Sequence, residues 1–485
     1  MIEEKYTKSI QSETEIIEKI FQKESFIISH DLGFPINEAK ISLSKGTGNK
    51  HIDFNLELQN SLDPNNITFK KLGFNKNCKL ISTDRIFVIP PKGVTKVKGK
   101  RFVPTNQITG EITTIYDEQF PLSSASNFRL ILKINDEDFG TIFLGAGYSC
   151  DGTHYALGLV RLNIENIEYH VFRHNERSNS KTYLTIECLD VTNFKSFRED
   201  CELILKSVGF LTGNWHQDEH YFFSYTSNDF KLAKYIYYKL FGDSVITNFE
   251  IINPQQFRSF IHTDPSNYPE LTPLLFSEKI LSTIVNELKS KPELERAIEL
   301  LVDGNEIKSP LIRCSIFSVA LETAVSLIHS ENKAFFKPIK KTEQLTPILK
   351  EFHDIANREK DKFSQLEYSS LTKKITYLNT PFNKDKFILA FERYKVNLPE
   401  KYSVLLNTRN LFFHGKTPYE EGALKNRIKD LHLEADRIHM LVSILILKYV
   451  GYEGHIKNQA AYRLETESFY NETERQTGES AFYTI

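Results

Sequence analysis

Residues 167–190 read IEYHVFRHNERSNSKTYLTIECLD. β-Branched and aromatic residues alternate with polar ones over 167–173 and again over 181–190, and the polar run HNERSNS between them is turn chemistry, so the stretch predicts an antiparallel hairpin. The same texture extends outward in HIDFNLEL (51–58), RIFVIP (85–90), FRLILKI (128–134) and GTIFLGAG (140–147), separated by SKGTGNK, LDPNN, NDEDFG and CDGTH. From about Gly33 to Tyr225 the chain therefore reads as a β-rich domain, a sandwich or a barrel. In VTNFKSFREDCELILKSVG (191–209) and FKLAKYIYYKLF (230–241) the period lengthens to three or four, which predicts short helices packed on the sheet.

Beyond about Ser266 the pattern changes to long helical periodicity. Helices are expected over Phe276–Leu301, Pro310–Ser330, Glu343–Arg358, Asp385–Tyr394, Pro399–Phe413 and Glu420–Val450. Pro310 and Pro399 sit where a first-turn proline is tolerated, and Gly415 and Gly451 sit just past ends that a glycine can close. The fold class expected is multidomain α+β: a β-rich region over 1–265, an all-α bundle over 266–458, and a polar C-terminal tail over 459–485, flexible or docked.

The 485 residues suffice for two to four domains at roughly 100–200 residues each. With 40% hydrophobic and 26% charged residues, collagen-like, low-complexity and wholly disordered classes are excluded. Lys and Arg number 61 against 63 Asp and Glu, so net charge does not mark a nucleic-acid coat. The five cysteines, Cys78, Cys150, Cys188, Cys201 and Cys314, include no C-x-x-C pair, which fits a reducing cytosol. The start, MIEEKYTKSIQSETEIIEKI, carries acids and a helical pattern where an export signal needs a basic start and an apolar run. The apolar run Met440–Leu447 falls far short of the ~20 residues that span a bilayer, so a cytoplasmic protein with no membrane partner is expected.

Four constellations carry chemistry. His216-Gln-Asp-Glu219-His220 matches the H-x-x-E-H spacing of zinc peptidases, but its flanks read as a hairpin tip, where the two histidines would not share a helix face. GAGYSCDGTHYALG holds Cys150 and His154, with glycines that a turn or bulge explains. Lys92, Lys96, Lys98, Lys100 and Arg101 form a basic run that reads first as a guarded hairpin edge. The fourth is LLNTRNLFFHGKTP (405–418), in which Arg409-Asn410 is followed after three residues by His414-Gly415. A guanidinium can hold a phosphodiester bidentately and stabilise charge developing on it, and an imidazole can move a proton near neutral pH. Asn410 could orient the imidazole or the RNA. Arg427 to His432 is a second, chance-level match inside a charge-striped helix.

The fourth constellation resembles the HEPN superfamily, whose ribonucleases carry an R-N-x-x-x-H type motif in an all-helical domain. The resemblance covers the last ~200 residues and matches Arg409, Asn410 and His414. It implies metal-independent RNA cleavage by a homodimer whose two motifs share one cleft, with no cofactor. A β-rich half before such a domain resembles ApeA-type anti-phage abortive-infection proteins, which implies a phage-derived trigger sensed by the N-terminal half. Five positions on a straight helix rotate by roughly 140°, so Arg409 and His414 share a site only if the helix breaks between them or two chains contribute. Glu322 lies in the apolar stretch Ile312–Ile328, where a lone carboxylate is costly unless paired; it either faces a cation such as Arg409 or sits at the edge of the buried face. The rival expectation is a non-catalytic binding protein with a recognition half and a dimerising half.

Overall fold

The computed structural model describes residues 4–21, 24–29, 39–45, 51–62, 76–99, 105–134, 148–149, 154–176, 181–254, 256–257, 276–417, 419, 427–467, 470 and 479–485. It is α+β, with a β-rich N-terminal half and a helical C-terminal half. Two compact units, Met1–Asn286 and Glu287–Ile485, divide the chain. Sequence texture changes at 265/266, whereas the units meet at 286/287, inside a helix.

Unit 1 opens with α1 (Glu4–Lys19) and strands β1 (Glu24–Ser29), β2 (Lys40–Lys45), β3 (Ile52–Leu62), β4 (Cys78–Ile81) and β5 (Ile86–Ile89). Next come β6 (Val94–Gly99), β7 (Thr105–Ile112), β8 (Thr114–Asp117), β9 (Ala125–Ile134) and β10 (Tyr148–Ser149). β11 (His154–Ile164), β12 (Ile167–Glu176) and β13 (Lys181–Cys188) form the expected meander, with β12 and β13 registered from Tyr169 opposite Cys188 to Glu176 opposite Lys181. β14 (Thr192–Asn193), α2 (Phe194–Thr212), β15 (Asn214–Trp215), β16 (Glu219–Tyr225), β17 (Tyr235–Leu240) and β18 (Val245–Ile246) complete it. One antiparallel sheet runs β10-β11-β12-β13-β9-β16-β17-β8-β5-β4-β1-β2-β3-β7-β6.

Both faces of its centre are buried. On one, Ile10, Ile17, Ile20 and Phe21 of the α1 segment join Ile131, Tyr183, Tyr221, Phe223 and Tyr238 in a single core. On the other, Phe194 and Phe197 of α2 meet Phe128 and Phe222 with ring centroids 5.3–6.2 Å apart. Asn193 caps α2 through the Ser196 amide, and Gly213, at φ +75°, closes it. This two-sided burial corrects one expectation. Residues 230–241 do not form a helix: Tyr235–Leu240 is a strand between β16 and β8. Ile236 and Tyr238 join the core on the α1 side while Tyr237 stacks on Tyr116 and packs at a tilt against Phe194 on the other, so three successive positions are buried and the period of two is hidden. β6 lies at the end of the sheet with Lys96 and Lys98 exposed, the guarded edge read from the basic run; Lys100 and Arg101 lie outside the described residues.

The helices that follow are α3 (Glu278–Ser290), which contains the unit boundary, α4 (Pro292–Asn305), α5 (Pro310–Glu331), α6 (Lys333–Phe336) and α7 (Thr342–Arg358). Then come α8 (Gln365–Thr376), α9 (Asn383–Arg393), α10 (Glu400–Phe413), α11 (Ile428–Tyr449), β19 (His455–Lys457), α12 (Gln459–Thr466) and β20 (Phe482–Thr484). The single helix expected over 276–301 is two, because Pro292 starts a new one and forces Lys291 out of helical conformation (φ −128°, ψ 91°). α5 is long and apolar enough to cross a membrane by length and composition, at mean hydropathy 1.7, yet it is the central helix of this unit, packed against α4, α10 and α11. The tail is docked: β20 pairs with β19, and the buried Glu479 carboxylate accepts from Arg437 (2.6 and 3.0 Å), Lys401 (2.7 Å) and Tyr402 (3.2 Å).

Candidate active site

α10 begins after Pro399 and buries Tyr402, Leu405, Leu406, Arg409 and Phe412 on one stripe at helical spacing. Arg409 therefore occupies a core position, 8% exposed, while Asn410 points to the outer face. The helix ends in a Schellman motif. His414 is the C-cap, Gly415 takes φ +67°, the Lys416 amide donates to Leu411 O (2.8 Å) and the Gly415 amide to Phe412 O (3.0 Å). Ser315 of α5 donates a further bond to Phe412 O at 2.7 Å, fixing this end against the central helix. His414 itself is exposed.

The guanidinium of Arg409 lies with Cζ 3.2 Å from the centroid of the Phe387 ring on α9, and its Nη1 donates to Leu406 O at 2.7 Å. Burial pulls its pKa down to about 10, opposed by the negative charge of Glu322 on α5. Glu322 is thus at the exposed edge of its helix and also within the electrostatic reach of Arg409, so the two alternatives for this residue coincide. Of the buried arginines, Arg129 is clamped by Glu13 (2.9 Å) and Glu187 (2.7 Å), and Arg313 by Asp436 (2.9 Å). Arg409 has no carboxylate within ion-pair distance among the described residues, and its Nε and Nη2 hydrogens have no acceptor there. Neither nitrogen is among the fully buried donors that lack a partner, so this edge of the fork is open to solvent and to an anion.

The helix ends at Phe413, between Arg409 and His414, so His414 sits on the cap and is not on a continued helix face.

Elsewhere, Asp436 of α11 receives Arg313 at 2.9 Å and Arg463 of α12 at 2.5 Å. Sequence reading passed over Asp436, although a carboxylate inside an apolar helix is itself a signal of a buried partner. Arg427 and Asp430 form an exposed pair at 2.9 Å at the start of α11, in keeping with a solvated face. Phe412 is fully buried.

His216 and His220 are not at a hairpin tip but at a corner, since β15 pairs with β18 and β16 with β9 and β17. Both rings are buried, which depresses their pKa values to about 4 and about 3. The intervening Glu219 is held by Lys45 at 2.8 and 2.9 Å, so the three do not converge as helix-borne zinc ligands do. Tyr148 and Ser149 of the glycine-rich segment are described, as are His154–Gly158, but Cys150 lies outside the described residues and the side chain of His154 is not described. A metal could be held by His51, just before β3, Asp53 of β3 and Glu111 of β7, whose ligand atoms lie within 4.8 Å of one another; Lys96 already occupies Glu111 Oε2 at 3.0 Å. Alternation places residues 51 and 53 on one face, a signal available in the sequence.

No protein-family model, no curated protein and no solved structure matches this chain.

Proposed function

We propose that the chain is a HEPN-type, metal-independent endoribonuclease of an anti-phage abortive-infection system, acting as a homodimer, with the β-rich half sensing a phage-derived trigger. The observation that carries the reading is the buried Arg409 guanidinium, held on an apolar ring with two donors uncommitted, in the motif that also supplies His414. Such a group is suited to bind two oxygens of one phosphodiester. The imidazole of His414 takes the 2′-hydroxyl proton and returns it to the departing 5′-oxygen, and Asn410 beside Arg409 orients the strand. The neighbouring 2′-oxygen attacks phosphorus as the P–O5′ bond breaks, giving a 2′,3′-cyclic phosphate and a 5′-hydroxyl. The reading takes the composite cleft that the HEPN resemblance implies, in which the motifs of the two protomers of a homodimer come together.

Purified protein incubated with RNA in EDTA tests this. Cleavage in chelator, cyclic-phosphate ends and inert DNA are expected. Metal-dependent cutting with 5′-phosphate ends would overturn it.

A further inference from the structure

Phe387 lies outside the R-N-x-x-x-H motif, on α9, and is 2% exposed. At 3.2 Å from the ring centroid, Arg409 Cζ sits over the face of the ring, since an edge-on approach or a perpendicular guanidinium would drive atoms into one another. The two planes are therefore stacked. Stacking fixes the tilt of the guanidinium, and the 2.7 Å bond from Nη1 to Leu406 O fixes its rotation within that plane. With both fixed, the Nε–Nη2 edge has one direction.

The choice of an aromatic ring as the anchor has a chemical consequence. Arg129 and Arg313 are positioned by carboxylates, which accept their hydrogens and cancel their charge. A ring face attracts the cation through its quadrupole and accepts none of the in-plane hydrogens. It holds an arginine still while leaving its fork open.

We infer that Phe387 is the positioning residue of the site, stacking Arg409 so that its Nε–Nη2 edge is presented to paired non-bridging oxygens of an RNA phosphodiester. The inference rests on the ribonuclease reading. It makes Phe387 act through Arg409, chiefly in the transition state, where misdirection of the fork costs most.

Phe387→Leu keeps an apolar filling and loses the ring face; Phe387→Tyr keeps the face. Single-turnover RNA cleavage by the full-length protein is expected to fall roughly tenfold in Phe387→Leu, with KM little changed, and to return to within about twofold of wild type in Phe387→Tyr. In an Arg409→Lys background the leucine change should have no further effect. Should the leucine variant not fold by circular dichroism, Phe387→Met carries the same test. Wild-type cleavage in the folded leucine or methionine variant, alongside an impaired Arg409→Lys, would overturn the inference and spare the ribonuclease reading. Full activity in Arg409→Lys and Arg409→Ala would overturn that reading itself. Equal losses in the leucine and tyrosine variants would make Phe387 a packing residue only and overturn the positioning role.

Discussion

His414 and Arg409 differ in what each can be replaced by. If the imidazole moves the proton, His414→Ala should lower cleavage by about 10²-fold to 10⁴-fold, the usual worth of a positioned acid or base. Arg409→Lys should be badly impaired too, because a point charge does not reproduce a planar fork and does not stack on Phe387 in the same way. His432→Ala and His216→Ala should leave the rate near wild type, and any toxicity on expression should follow the same division. Full activity in His414→Ala would exclude the site. The motif was readable because Arg, Asn and His are chemically distinctive at that spacing, and Arg409's burial was implicit in its place on the Tyr402–Leu405–Leu406–Phe412 stripe. Phe387 was not readable: a phenylalanine in a helix reads as core, and only the fold brings it to the guanidinium.

At the scale of elements, what the sequence disclosed followed local chemistry. The β12–β13 hairpin, α2, α7, α9 and α10 lie where alternation, period and prolines put them. β17 was misread because both of its faces are buried, and α8 was missed although Ser364 and Glu367 form a capping box at its start. At the joint among α5, α11 and α12, Asp436, fully buried, holds Arg313 and Arg463; its place in the helix signals a partner, but no local pattern says which. Asp436→Ala leaves a buried guanidinium without its anion and should destabilise the helical unit by about 3–5 kcal/mol, read as a lower urea midpoint. A change below about 1 kcal/mol would show the joint to be dispensable.

For the whole molecule, the ribonuclease reading takes the cleft to be shared between two protomers. Sedimentation at micromolar concentration should find a dimer, and a monomer that still cleaves RNA would sink the composite cleft. Stability should also depend on acid. Burial depresses His216 to about 4 and His220 and His439 to about 3, against an ordinary value of 6.5. Their contribution is intact above pH 6.5 and is lost as pH falls from there toward the folded values, since only the unfolded chain then takes up the protons. Each group steepens the fall by up to roughly 1.4 kcal/mol per pH unit, so the urea midpoint should drop sharply between about pH 6.5 and about pH 4. A flat midpoint over that range would contradict the burial of these rings.

The seating of α1 against the sheet bears on how the chain is made. Glu13 is bound by Arg129 and Tyr225, and the last of these follows it by 212 residues. At roughly 5–20 residues per second, the helix leaves the ribosome on the order of 10–40 s before the strand that covers it exists. For that interval Ile10, Ile17 and Ile20 can meet only the earlier strands of their core, those of Phe26, Ile41 and Ile131 among them, and lack the covering side chains Tyr221 and Phe223. Unit 1 can close only after most of it has been synthesised, so slower translation lengthens the interval in which the α1 face is incompletely covered.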